Sequence, residues 1–246
     1  MDGLVKAWSY STYNAFQRCP RRVYMEKVLK EPQPPLQIPE GKDEHPMLRG
    51  SRVHEAAEAY MKEDVDLIPE LMQFAENFEV MRELQQCENV DFAIEEDWAY
   101  TVDWIPTGWT SEDAWLRMKV DCMIIRDEEA ILIDYKTGRR HGNEISHMTQ
   151  AQLYQLGAFI RFPELEHITV EFWYTDVGEL TQADFKRDFG MQFKPLFTQK
   201  GLSITNEVRF DAKPAAYTCK YCPYGYETGN GVCKFAYSLN RKNKDA

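Results

Sequence analysis

Apolar and polar positions along this chain follow two periods, one of about 3.6 residues and one of two, and the change between them marks out the elements. Ser9, Ser11 and Thr12 offer N-caps for a helix in which Tyr13, Phe16, Val23, Tyr24 and Val28 recur at roughly helical spacing. It kinks at Cys19-Pro20 and ends before Pro32. The stretch from Glu31 to Pro46, with Pro32, Pro34, Pro35, Pro39, Gly41 and Pro46, predicts a surface loop. Gly50 to Met61 is amphipathic at the helical period and stacks His54 on Glu58 at i and i+4. A second helix is expected from about Pro69 to Gln86, and the aromatic and β-branched residues of Phe92 to Trp104 suggest a strand. Farther on, Ser146 can cap a helix running through Ile160, Glu166 to Tyr174 reads as a strand, and Gln182 to Phe197 reads as a helix.

Between these lies the densest stretch, Lys119 to Gly138, KVDCMIIRDEEAILIDYKTG. Two β-rich runs, Met118 to Ile125 and Ala130 to Lys136, flank the charged break Arg126-Asp127-Glu128-Glu129, so a hairpin is the simplest reading. The strand period puts Leu132, Asp134 and Lys136 on one face and Ile131, Ile133 and Tyr135 on the other. Both faces carry apolar residues, which places the strand centrally. Charged groups there are costly unless a metal, a partner or a reaction uses them; the plainer alternative is a solvated face. A turn centred between Asp127 and Glu128 sets Asp121 opposite Asp134, with Cβ atoms about 5 Å apart. Two carboxylates so close repel, and a hard divalent cation such as Mg²⁺ or Mn²⁺ removes the repulsion. Lys136 would stand beside it. If the two aspartates face opposite sides of the sheet, this metal site fails.

Composition narrows the class. At 246 residues, 43% hydrophobic and 13% aromatic, the chain fits one substantial globular domain, without an apolar run long enough to span a bilayer. The N-terminus lacks a basic segment followed by an apolar one, so no secretory signal is visible and a reducing, cytoplasmic compartment is expected. The net charge of −11 argues against a generic nucleic-acid coat, though not against an enzyme with a local basic path. Three basic clusters offer one: Arg18, Arg21, Arg22, Lys27 and Lys30; Arg139 and Arg140, directly after Lys136; and Arg241, Lys242 and Lys244.

In a reducing compartment six cysteines suggest metal or redox chemistry before disulfides. Cys219 and Cys222 form a C-x-x-C, and Cys233 follows after ten intervening residues. A fourth ligand must come from elsewhere, and Cys19 in its Cys-Pro context is the best candidate. Cys87 and Cys122 read as helix and core thiols.

Taken together, these pieces resemble the RecB-like branch of the PD-(D/E)xK nuclease superfamily. Ser9 to Arg22 is similar to its Ser-x-Ser/Thr-x-x-x-x-Phe-x-x-Cys-Pro segment, Gly50 to His54 to its Gly-x-x-x-His helix, and Asp121 to its strand aspartate. Asp134-Tyr135-Lys136 with Thr137-Gly138 matches the (D/E)-x-K signature, and Gln150 with Tyr154 the Gln-x-x-x-Tyr helix. The resemblance implies an α/β fold, a restriction-endonuclease-like core with a mixed central sheet flanked by helices. It implies one domain over 1–246, with an N-terminal helix and Pro-rich loop over 1–49, a nuclease core over 50–200 and a cysteine-rich tail over 201–246 that closes onto the N-terminal helix.

The same resemblance implies metal-assisted phosphodiester hydrolysis. His54, Asp121, Asp134 and the Tyr135 carbonyl would hold Mg²⁺ or Mn²⁺, Lys136 would position the attacking water, and Gln150 and Tyr154 would orient the lysine or contact DNA. Cys19, Cys219, Cys222 and Cys233 follow the order of the four-cysteine members, whose cluster is [4Fe–4S]; the gap before Cys233 is longer than theirs, and structural Zn²⁺ is the alternative. A small enzyme of this type is expected to be an exonuclease acting on single-stranded DNA ends, with a recombination or helicase partner. The rival readings are a structure-dependent endonuclease of the same fold, an inactive nucleic-acid-binding or assembly module, and an iron–sulfur carrier.

Overall fold

The hairpin forms as its apolar pattern dictates. Strands β3 (Leu116–Arg126) and β4 (Glu129–Lys136) are antiparallel, with Arg126 opposite Glu129 and Cys122 opposite Ile133, the register of a turn centred between Asp127 and Glu128. Asp127 takes the left-handed conformation that so tight a turn needs (φ 55°). In this computed structural model, which describes residues 4–63, 65–138 and 140–237, the hairpin is the centre of a six-stranded sheet of order β2-β1-β3-β4-β5-β6. Arg139, Arg241, Lys242 and Lys244 of the basic clusters lie outside the described residues.

Strand β1 (Asp91–Tyr100) pairs antiparallel with β3 and with the short β2 (Pro106–Thr107). Strand β5 (His167–Tyr174) pairs parallel with β4 along all eight residues from Glu129 to Lys136, and the crossover that a parallel pair requires is the 18-residue helix α5 (Glu144–Arg161). β6 (Glu179–Lys186) closes the sheet antiparallel to β5. Here the expectation of a helix from Gln182 to Phe197 is corrected. Residues 179–186 alternate Thr181, Ala183 and Phe185 inward with Leu180, Gln182, Asp184 and Lys186 outward, an edge-strand pattern that small inward residues and an exposed leucine disguise. Helix begins only afterwards, as α6 (Arg187–Gly190), a 3₁₀ turn and α7 (Lys194–Thr205).

Ahead of the sheet come α1 (Tyr10–Arg18), α2 (Pro20–Val23) with a π-helical turn over Tyr24–Val28, α3 (Pro46–Lys62) and α4 (Ala75–Leu84), the last entered through a 3₁₀ turn at Pro69–Phe74. Ser9 caps α1, its hydroxyl accepting the Thr12 N–H, and Pro20 separates the first two helices by starting the second at N1. Helix α8 (Ala216–Lys220) carries Cys219. No described helix is long and apolar enough to cross a membrane.

The chain divides into two compact units, one of residues 41–197 and one of 1–40 together with 198–246. In the first, α3, α4 and the 3₁₀ turn cover one face of the sheet: Val53, Tyr60, Leu71 and Phe78 pack on Cys122, Ile133, Tyr135 and Trp173. Phe78 is its aromatic centre, 5.7 Å from the Tyr135 ring and 5.5 Å from those of Tyr60 and Trp173. The opposite face of β4 carries Asp134 and Lys136, and α5 lies over it, with the Tyr100 hydroxyl donating to the Gly157 carbonyl at 2.9 Å. Of the two cysteines set apart from the tail, Cys122 is buried as expected, but Cys87 is exposed beyond the end of α4.

In the second unit the tail packs on the N-terminal segment: Tyr224 donates to the Glu31 carbonyl at 3.2 Å and Asn230 to that of Pro32 at 2.9 Å. Removing the centre of the aromatic core tests the larger unit. Phe78→Ala should lower unfolding stability by about 3–5 kcal/mol, read as a fall in the urea midpoint; an unchanged midpoint would contradict the packing described.

Candidate active site

The ladder between β3 and β4 stops at Cys122 and Ile133, and beyond that point the site opens. The register carried one step farther sets Asp121 opposite Asp134. There the Tyr135 N–H, left without a strand partner, donates to Asp121 Oδ2 at 2.9 Å. The Tyr135 carbonyl accepts from His54 Nε2 at 3.0 Å, so the other ring nitrogen of His54 is turned to the carboxylates: Nδ1 lies 3.3 Å from Asp121 and 3.6 Å from Glu95. Helix α3 positions His54 because Val53 and Ala57, on the neighbouring stripe of the helix, are fully buried against the sheet.

On the other side Gln150 of α5 bridges the signature residues. Its amide donates to Asp134 Oδ2 at 2.7 Å and its carbonyl accepts from Lys136 Nζ at 3.0 Å. Lys136 Nζ also ion-pairs with Asp134 Oδ1 at 2.5 Å. Tyr154, one turn on from Gln150, lines the same cleft of about 400 Å³ with Gly50, Glu58, Glu95 and Lys119. The structure therefore brings His54, Asp121, Asp134, Tyr135, Lys136, Gln150 and Tyr154 together, and Glu58 reaches the rim while paired with Lys62 at 2.7 Å.

Glu95 was missed by sequence reasoning. It follows Ile94 in β1, opposite Asp121, where the β1–β3 pairing skips a step and the Glu95 backbone turns left-handed (φ 50°). A non-glycine residue in that region is uncommon and is retained where the surroundings impose it. One carboxylate among the four acids of DFAIEEDWAY is thereby held in the cleft, while its neighbour Glu96 accepts from the Trp98 indole at 2.7 Å. The available signal was two adjacent glutamates in a β-rich run.

The charge balance of this cluster is unusual. Asp134 is 2% exposed and Asp121 7%. Burial, and then the Asp134 charge, hold the Asp121 carboxyl above the usual carboxylate range. Against a burial penalty that would lower it, the Asp121 and Glu95 carboxylates push His54 up to about 10. The His54 proton thus supplies a positive charge at the point where the carboxylates converge.

His54, Glu95 and Asp121 offer one imidazole and two carboxylate atoms all within 4.8 Å of one another, and such a set can hold a metal ion. A cation also answers two buried oxygens, Glu95 Oε1 and Asp134 Oδ1, that have no hydrogen-bond partner; the close Lys136 contact to the second is an ion pair outside hydrogen-bond angles. A donor set of carboxylates and one imidazole fits a divalent metal ion.

In the other unit Cys19, Cys219, Cys222 and Cys233 line one small cavity with Arg22. The Lys213 N–H donates to Cys19 Sγ at 3.4 Å and the Tyr237 N–H to Cys219 Sγ at 3.2 Å. Burial pushes the Cys222 thiol up.

Folding raises the His54 pKa above its ordinary 6.5, so the contribution of His54 to stability is complete below pH 6.5 and is lost as pH rises through about 10. In metal-free protein the stability advantage of wild type over His54→Gln should shrink across that window when unfolding is measured in urea. An advantage that stays level or grows with pH would contradict the ion pairing.

The sequence profile of the PD-(D/E)XK nuclease superfamily matches residues 7–226, which include every cleft residue and three of the four tail-site cysteines. No curated protein matches the chain in sequence. Among solved structures, that of SSO0001 is 14% identical, with a TM-score of 0.43 over 95% of this chain and 88% of the other. A protein from Eubacterium rectale called "Putative exonuclease" is 13% identical, with a TM-score of 0.48 over 98% of this chain and 94% of the other. With the profile spanning nearly the whole chain and the sheet, helices and acidic cleft in place, the protein belongs to the PD-(D/E)XK nuclease superfamily.

Proposed function

We propose that this chain is a Mg²⁺- or Mn²⁺-dependent deoxyribonuclease of the RecB-like branch, an exonuclease acting on single-stranded ends in DNA recombination, repair or processing, beside a recombination or helicase partner. The chain over 1–246 is read as one functional nuclease. The observation that carries the reading is the convergence, in one cleft, of Glu95, Asp121 and Asp134 with His54 and with Lys136, which Gln150 bridges to Asp134.

His54, Glu95, Asp121, Asp134 and the Tyr135 carbonyl would hold the ion, which when bound supplies Lewis acidity toward the phosphodiester and the attacking water. Each protein group has its own task. Lys136, held by Asp134 and Gln150, presents an ammonium to charge growing on the phosphate and orients the water by hydrogen bonding. Gln150 is a positioning residue, since it touches both members of the signature. Tyr154, which lines the cleft, would contact the DNA.

Cys19, Cys219, Cys222 and Cys233 are read as ligands of a [4Fe–4S] cluster, with structural Zn²⁺ on the same thiols as the alternative. Their shared cavity, and the backbone N–H groups aimed at two of the sulfurs, support a bound metal centre.

End-labelled single- and double-stranded DNA, digested with and without Mg²⁺ or Mn²⁺ beside end-blocked and circular controls, tests the reaction. Metal-dependent loss of single strands from free ends is expected; cutting of circles would make the enzyme an endonuclease. Lys136→Ala should reduce cleavage by about 100-fold or more, and a variant as fast as wild type would remove the lysine from the mechanism. Glu95→Gln should weaken Mn²⁺ binding in an electron paramagnetic resonance titration. Iron with absorbance near 400 nm after anaerobic purification is expected; one equivalent of zinc without iron would replace the cluster and leave the hydrolytic site standing.

A further inference from the structure

The two compact units share the charge of the chain unevenly. Residues 1–40 and 198–246 hold fourteen Lys and Arg against eight Asp and Glu, a net +6; residues 41–197 hold fifteen against thirty-two, a net −17. Nucleic-acid binding draws on the neutralisation of phosphates by cations. In a protein this acidic, the basic unit is therefore the place to look for a phosphate-binding surface.

Within that unit a cavity of about 440 Å³ is lined by Arg21, Arg209, Phe210, Asp211, Pro214 and Phe235. Phe210 is its buried apolar wall, edge-on to Phe16 at 6.3 Å and tilted on Tyr24 at 5.4 Å. Its backbone is left-handed (φ 48°), a conformation a bulky residue seldom adopts. Glu207 holds it there: one carboxylate oxygen accepts the N–H groups of Val208, Arg209 and Phe210 at 3.0, 2.8 and 3.3 Å. This turn buries the Phe210 ring and leaves the Arg209 side chain 78% exposed.

Arg21 lies 4.6 Å over the Tyr24 ring and 5.4 Å from that of Phe235, and among the described residues no carboxylate is paired with it. Phe235 keeps 46% of its surface exposed. Among the described residues Asp211 is the only acidic one in the lining; it pairs with Arg209 at 3.0 Å, and both side chains are largely exposed, so a phosphate can take its place at little cost.

Two guanidiniums beside a partly exposed aromatic ring, which the Lys234 ammonium also approaches at 5.2 Å, match a phosphate with its base. Planar forks engage phosphate oxygens, and an exposed ring stacks an unpaired base whatever its identity. We propose that this cavity binds one nucleotide of a single-stranded nucleic acid, with Arg21 and Arg209 on the phosphate and Phe235 against the base. The inference rests on the nuclease reading above and adds a binding site outside the acidic cleft. Bases within a duplex are stacked on one another and offer Phe235 no face, so the site selects unpaired strands.

Fluorescence anisotropy of dye-labelled oligo(dT) with the full chain as isolated, without added divalent metal, tests it. The Arg21→Gln, Arg209→Gln double variant should bind about tenfold more weakly and should flatten the salt dependence of log Kd by about 0.7 for each phosphate no longer neutralised. Phe235→Ala should weaken binding by about 5- to 100-fold. Arg209→Gln alone, at an exposed side chain, gives the answer should the double variant fail to fold, and Arg209→Lys should restore the salt slope. Folded variants that bind with the wild-type Kd overturn the cavity alone, and a duplex held as tightly as oligo(dT) overturns its selectivity. A wild type that neither binds nor cleaves DNA overturns the nuclease reading beneath it.

Discussion

Where β3 and β4 part, a sheet gives up its backbone partners at the point where it must also keep carboxylates out of water. Both demands are met by the same side chains. Asp121 takes the Tyr135 N–H that has no ladder partner, and His54 takes the carbonyl. An unpaired backbone group in such a place costs about as much as a missing hydrogen bond, so these residues repair the sheet while presenting their remaining atoms to the cleft. Glu95 completes the arrangement through a backbone conformation that only a strongly imposed position retains.

Rigidity comes from the other side of the same strand. Tyr135 turns its ring into the aromatic cluster of Phe78 and Trp173 while its backbone holds Asp121 and His54. The cleft is thus anchored one residue away from a close-packed core, and Asp134 and Lys136 flank that anchor on the opposite face. Gln150 fixes their spacing from above. Preorganisation of this kind is what a hydrolytic site needs, since stabilisation of developing charge depends on groups that do not have to move.

Much of this was legible in the sequence because it follows from local periods. The hairpin register depends on a turn centre and a period of two, and the placing of Asp134 and Lys136 opposite Ile133 and Tyr135 follows directly. Gln150 and Tyr154 could be set on one helix face by their spacing. Glu95 could not be singled out from its acidic neighbours, because its place is fixed by a left-handed backbone that no residue type announces. β6 escaped for a different reason: Thr181 and Ala183 are too small and polar for its inward face to register as apolar. The division of charge was present in the composition but became visible only when the fold gathered two distant segments of the chain into one unit.

That gathering has a consequence in time. Residues 41–197 emerge from the ribosome as one continuous segment and hold all six strands, so the nuclease unit can fold while synthesis continues. The other unit cannot close until its second segment arrives. Cys19 is made long before Cys219, Cys222 and Cys233 and meets them only after the whole nuclease unit has been synthesised, which makes their cavity a late part of the molecule to assemble. Until then an early thiol and its neighbouring arginines are held in an unfinished half. A premature stop between the sheet and the tail cysteines would release a chain that carries every residue of the acidic cleft and lacks three of the four thiols of that cavity.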